Sequence, residues 1–337
     1  MTVQLQKENC FTFLRYLFAF CIFCNHFSVT TDSEPFMCNS AIFVNGFFII
    51  SGFLTFNSFF NTPDVKTFAL KRVRRILPAY LIVVIMGFFI GLALTSLSIS
   101  EFLSKVETWR YLVANIFFLN NFQPTLPGVF EDNTLPFVNS SLWTMKIEIA
   151  FYVSVPVVYA LMKKFGKNKI LVFVVLSSVA YNILTKELYE YTHKEIYNML
   201  NHQIPGELCY FYAPVLILAN IEKVNKMACW LILVSVVLLG FSFVVYKFYY
   251  ASPLFLSVII VYFAYKAEPW IKAYRWQDIS YEFYLLHFPL LQTLLFAGFT
   301  DSLVVTFFIG LVATVLGAVA LHMVCRQISM ALPPRQA

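Results

Sequence analysis

Long apolar runs alternate with short polar stretches along the whole chain. A window of about 19 residues picks out ten runs with the length and apolarity of membrane-spanning helices. They lie near 11–30, 38–60, 77–98, 141–162, 170–185, 206–222, 228–247, 251–266, 279–298 and 302–324, those near 170, 206 and 251 being short. Two connecting stretches are long. The first, 99–140, holds Trp109 to Leu119, a segment too short to span and suited to an interfacial or re-entrant helix. It continues from Gln123 to Pro136 as a Pro-rich run that cannot be regular helix. The second, 186–205, carries tyrosines, charges, His193 and His202. No internal repeat is visible, and nothing of soluble-domain size stands at either end. The pattern predicts an all-α integral membrane protein of about ten helices, one domain over residues 1–337.

Composition agrees. Hydrophobic residues are 60% and charged residues 12% of the 337, against about 45–50% and 25% in soluble domains. That excess cannot all be buried in a soluble core, so the bilayer is the expected partner. The formal net charge of +6 does not mean nucleic acid, because the basic residues fall in short clusters between apolar runs. With the N-terminus in the cytoplasm, only Lys105, Arg110, Lys146, Lys186, Lys194 and Lys247 face outward, and 18 of the 24 Lys and Arg lie inside. Ten spans then return the C-terminus to the cytoplasm. The first run carries Arg15, Asn25 and His26 and has no small-x-small cleavage site, so it is not a cleavable signal. Cys21 and Cys24 sit inside that run with no second pair nearby, which favours apolar packing over a metal site. No metal and no tightly bound cofactor are expected.

Ionisable groups inside spans are costly and are therefore candidates for function. Arg15 and His26 are 11 residues apart. On a helix that is three turns plus about 20° of rotation, so they share a face with roughly 16 Å of rise between them. A snorkelling arginine and an unrelated bonded histidine would look the same. The second run holds Gly46 and Gly52, which suit close helix packing, while Asn45 and Ser51 suit a polar cavity. Lys71-Arg72-Val-Arg74-Arg75-Ile-Leu-Pro78 opens the third run. Such clusters fix topology or touch anionic lipid, and their guanidinium groups also fit the phosphates of coenzyme A. Glu148 lies about two turns in from the outer surface, at a depth near that of His26, and a histidine on another helix is its natural partner. The ninth run, with Tyr281, Glu282, His287 and Pro289, again argues for a polar interior and a kink.

Together these segments resemble the acyltransferase 3 family of membrane acyltransferases, which modify bacterial surface polysaccharides. Phe13-Leu-Arg15 with ten residues before His26 is similar to its Arg-x10-His signature, and Phe47 to Phe53 to its second-helix motif. Arg72-Val-Arg-Arg75-Ile-Leu-Pro78 matches Arg-x-x-Arg-Ile-x-Pro. Asn139-Ser-Ser-Leu-Trp143 through Glu148 to Tyr152, and Ser280-Tyr281 through His287-Phe-Pro289, resemble its later motifs. Thr12 stands where many members carry an acid.

The resemblance implies a bacterial inner-membrane O-acyltransferase. It would move an acyl group, most often acetyl, from cytoplasmic acyl-CoA (acetyl-CoA) to a hydroxyl of a lipid-linked or surface glycan such as O-antigen or capsule. Arg15, Arg72 and Arg75 would hold the donor, and His26 would act as base with Glu148 on its other ring N–H. Asn45, Ser51, Asn139, Trp143, Tyr281 and His287 would line the cavity or meet the acceptor. A glycolipid transporter or flippase would share the helices and the charge pattern, but not the five motifs in order. HExxH, P-loop and Gly-x-Ser-x-Gly motifs do not occur.

Overall fold

The computed structural model describes residues 8–35, 41–244 and 250–331, and every regular element among them is helical. The helices are α1 (Phe11–Thr30), α2 (Ala41–Asn61), α3 (Val65–Leu94), α4 (Ile99–Ser104), α5 (Val106–Ile116), α6 (Trp143–Phe165), α7 (Lys167–Thr192) and α8 (Glu195–Asn201). They continue as α9 (Ile204–Ala219), α10 (Ile221–Lys226), α11 (Ala228–Val244), α12 (Ser252–Lys266), α13 (Glu268–Ile271), α14 (Ser280–Phe296) and α15 (Leu303–Ala331). Each of the ten apolar windows falls on one of these. Among the described residues, six helices (α1, α2, α3, the α6 segment, α7 and α15) are long and apolar enough to cross a membrane. The start of the second window (38–40), the end of the seventh (245–247), Lys7, Lys247 and Arg335 lie outside the described residues.

Two boundaries differ from the expected ones. α3 starts at Val65, about three turns before the apolar window, because the Asp64 carboxylate accepts the Thr67 N–H at 2.7 Å and Lys and Arg are good helix formers. α7 was expected to be short and runs 26 residues. Its Tyr-, Lys- and Glu-bearing end keeps helical geometry past the apolar run, until His193 turns left-handed at φ 53°.

The chain forms two compact units. The first comprises the described parts of Met1–Phe18, Ala41–Ala69 and Ile147–Trp276. Its centre is α9, which packs against α2, α7 and α12 and is buried on nearly every side. A β-carbon on Gly52 would run into the backbone carbonyl of Phe211, so α2 and α9 touch main chain to main chain. Phe151 stacks on Phe211 at 4.5 Å and meets Phe48 edge-on at 5.1 Å.

The second unit comprises the described parts of Ala19–Ser40, Leu70–Lys146 and Gln277–Ala337. Here α14 packs on α15 and on a 3-10 turn, Ser140–Leu142. The long connection 99–140 is a folded cap rather than an open loop. Phe102, Tyr111, Leu126, Val129, Phe130 and Val138 form its own core. α4 begins with a capping box in which Ser98 and Glu101 bond reciprocally, holding the Glu101 carboxyl below its usual range. Gly128 (φ 69°) makes the turn that lets its carbonyl meet the Ser96 N–H at 2.9 Å.

Candidate functional site

In the second unit, two histidines meet. Phe23 and Phe27 of α1 pack on Phe307 of α15 and set the orientation of that part of α1. His26, one turn on from Phe23, then places its Nδ1 2.6 Å from Nε2 of His287 on α14. The two rings are nearly parallel, with centroids 4.9 Å apart and 16° between planes. His287 is fully buried, flanked by Phe23 and Phe283, whereas His26 is half-buried. Nε2 of His26 makes no hydrogen bond among the described residues.

The segment from Asn139 to Thr144 frames this pair. The Asn139 amide donates to the Leu285 carbonyl of α14 at 2.8 Å, and its oxygen accepts the Ser141 N–H at 3.0 Å. That bond starts the 3-10 turn and brings Ser141 Oγ to 3.4 Å from His287 Nε2. Tyr284 Oη donates to the Ser141 carbonyl at 3.2 Å and lies 3.0 Å from Thr144 Oγ1. Buried polar groups of this kind are tolerated because each finds a partner.

α14 also grips both flanking regions of its unit. At its start, Tyr281 Oη donates to the Ile76 carbonyl at 3.2 Å, and Asp278 lies 3.6 Å from the guanidinium of Arg75. The basic cluster Arg72–Arg75 is thus tied to a helix whose His287 stands six residues, roughly 9 Å, further along. Near its other end, the fully buried Gln292 donates to the carbonyls of Leu135 and Phe137 and accepts from Asn133 at 3.1 Å, which pins the cap. On another face, Glu282 meets His322 of α15 at 2.8 Å.

The first unit holds a second polar group. Ser51 Oγ of α2 donates to Glu148 Oε1 at 2.6 Å, and Tyr152 Oη donates to the same oxygen. Two hydroxyls on one carboxylate oxygen join α2 to α6. Asn45 is buried in α2 and Arg15 is half-buried in α1. Trp143, in the second unit, begins α6 and is half-buried.

The sequence expected Glu148 to hold the second ring nitrogen of His26. Within the second unit the structure pairs His26 Nδ1 with His287, and within the first unit it pairs Glu148 with Ser51 and Tyr152. Sequence reasoning looks for a carboxylate beside a catalytic imidazole, and a second imidazole offers no such signal. Of the other candidates, His287, Asn139, Tyr281 and the basic cluster all connect through α14. Tyr152, Ser141, Asp278, Gln292 and His322 were missed as site residues. Tyr152 had a readable signal, since it stands four residues after Glu148 and so shares its helix face. His322 had a weaker one, a lone histidine in an apolar run. Cys21 and Cys24 are buried in α1, and no group of three or more His, Cys, Asp or Glu suited to a metal occurs among the described residues.

The sequence pattern of the acyltransferase 3 family, described as an acyltransferase domain, matches residues 8–323. The chain is also 28% identical over 182 residues to the O-acetyl transferase of Shigella phage Sf6. That match covers 52% of this chain and 53% of the relative, so the chain spans about half the length of that protein. No solved structure matches.

Proposed function

Because the chain belongs to the acyltransferase 3 family, we propose that it is a multi-pass O-acyltransferase of a bacterial inner membrane. It carries an acyl group, acetyl in the simplest case, from cytoplasmic acyl-CoA to a hydroxyl of a lipid-linked or surface polysaccharide. The relative's name, O-acetyl transferase, supports the acetyl and hydroxyl parts of this reading. The observation that carries it is the His26 ring: one nitrogen is fixed by His287, and the other has no hydrogen-bond partner among the described residues. A sugar hydroxyl is a poor nucleophile near neutral pH, and a positioned imidazole is suited to take its proton. Arg72 and Arg75 bind the donor phosphates. Glu148 acts with Ser51 and Tyr152 in keeping the polar interior of their own unit in order.

Orientation belongs to the same proposal, with ten spans and both termini in the cytoplasm. A reporter after Lys71 then reads cytoplasmic and one near Gly128 external. The function is tested by NMR of surface polysaccharide from a deletion strain complemented with wild type or His26→Ala. O-acetyl signals return with the wild type and not with the variant, a loss of about 10²–10⁴-fold, at equal membrane levels. Near-normal acetylation by His26→Ala would sink the base assignment.

A further inference from the structure

We propose that His287 is a positioning residue that sets the tautomer of His26. Its Nε2 accepts a hydrogen bond from the His26 Nδ1–H, which leaves the His26 lone pair on Nε2, the nitrogen facing the acceptor hydroxyl. The inference rests on the acyl-transfer reading above.

A neutral imidazole pair 2.6 Å apart can share its proton in two ways. If His287 donated, His26 would carry its own proton on Nε2 and present a donor, useless as a base. If His26 donates, its Nε2 is bare. The far side of His287 decides between them. Its Nδ1 is buried with no hydrogen-bond partner among the described residues, and on a helix the polar groups beside residue 287 are the carbonyls one turn back, those of Phe283 and Tyr284. Carbonyls only accept. A bare Nδ1 would set lone pair against lone pair in a buried place, so the His287 proton sits on Nδ1. Nε2 is then an acceptor, with two donors in range: His26 Nδ1–H, and the hydroxyl of Ser141 at 3.4 Å. Ser141 is fully buried, and its hydroxyl has no other partner among the described residues. The α14 backbone thus dictates, through His287, which nitrogen of His26 is basic.

In the transfer step, His26 Nε2 takes the proton of the acceptor hydroxyl as its oxygen bonds to the thioester carbonyl carbon. The carbon–sulfur bond then breaks, and the imidazolium returns the proton to the departing coenzyme A thiolate. His287 accepts from His26 Nδ1–H throughout and steadies the transient imidazolium.

The test uses the full-length protein in detergent, labelled with ¹⁵N in the histidine rings and assigned with His26→Ala and His287→Leu. Nε2 of His26 is expected to show the shift of an unprotonated nitrogen in the wild type and to become protonated or mixed in His287→Leu. In parallel, initial rates are measured with acetyl-CoA and polysaccharide from the deletion strain. His287→Leu should lower kcat about 100-fold or more, with KM for acetyl-CoA unchanged. His287→Gln, whose amide oxygen can accept from Nδ1–H, should recover roughly tenfold of that loss. A merely structural role would not separate Gln from Leu at equal folding. A protonated Nε2 on wild-type His26, or a folded His287→Leu with wild-type kcat, overturns the proposal. The spectrum needs no turnover. A bare Nε2 in a chain that transfers no acetyl group would therefore overturn the acyl-transfer reading and leave the pairing standing.

Discussion

α14 and α15 are consecutive apolar helices packed on each other in one unit, and they are built for different surroundings. α15 runs 29 residues, and only 22% of its most apolar window is buried. Side chains such as Leu316 are mostly exposed. α14 has 17 residues and falls outside the six helices of spanning length, yet most of it is buried and it carries Glu282, His287 and Gln292. Length and hydropathy find the helices that suit a lipid surface. A helix shielded by its neighbours can be shorter and can hold polar groups, provided each polar group has a partner.

Substitutions in and around α14 and α15 test that contrast. The largest effect is expected where α14 ties down the basic cluster. Arg72→Ala with Arg75→Ala should lower kcat/KM for acetyl-CoA about 100-fold or more at unchanged protein level. Lys at both positions should restore only part of it, because a point charge lacks the forked geometry. Full activity of the double Ala variant at sub-saturating donor would reduce the cluster to a topology signal.

Gln292→Leu comes next. It strips the donor from two half-buried carbonyls and should cost about 2–4 kcal/mol, read as a lower melting temperature in detergent and faster proteolysis within 123–138. Glu282→Gln keeps an acceptor for His322 but loses its charge, and should cost about 1 kcal/mol in the same melting assay. Smallest of all, Leu316→Ala on the exposed face of α15 should stay within about 0.5 kcal/mol of wild type, with activity unchanged. Were it as damaging as Gln292→Leu, the division of labour between the two helices would be wrong.

Much of this architecture was legible in the chain. Apolar runs give helices wherever backbone groups must be satisfied internally, so each window landed on one. Boundaries were less legible. Capping by Asp64 and the helix propensity of charged residues carried α3 and α7 beyond their apolar cores. His26, His287 and Asn139 stood out because polar groups are conspicuous among Phe and Leu, and the structure joins them. Their pairings were not legible. Which groups face one another depends on helix rotation and on bonds such as that from Asn139 to Leu285, which no spacing rule encodes. The cap over 99–140 was hidden for a related reason. Its order comes from scattered apolar residues and from Gln292, far along the sequence.

The anchoring of α14 has a mechanical consequence. Tyr281 holds it to the Ile76 carbonyl, Asn139 grips it at Leu285, and Gln292 locks it to Leu135 and Phe137. These three fastenings sit at different heights, like keys cut along a shaft. A slide of one helical turn or a rotation of one residue would shear all three at once. Any gating motion during turnover must therefore leave α14 in register with its unit and be carried by segments that lack such keys.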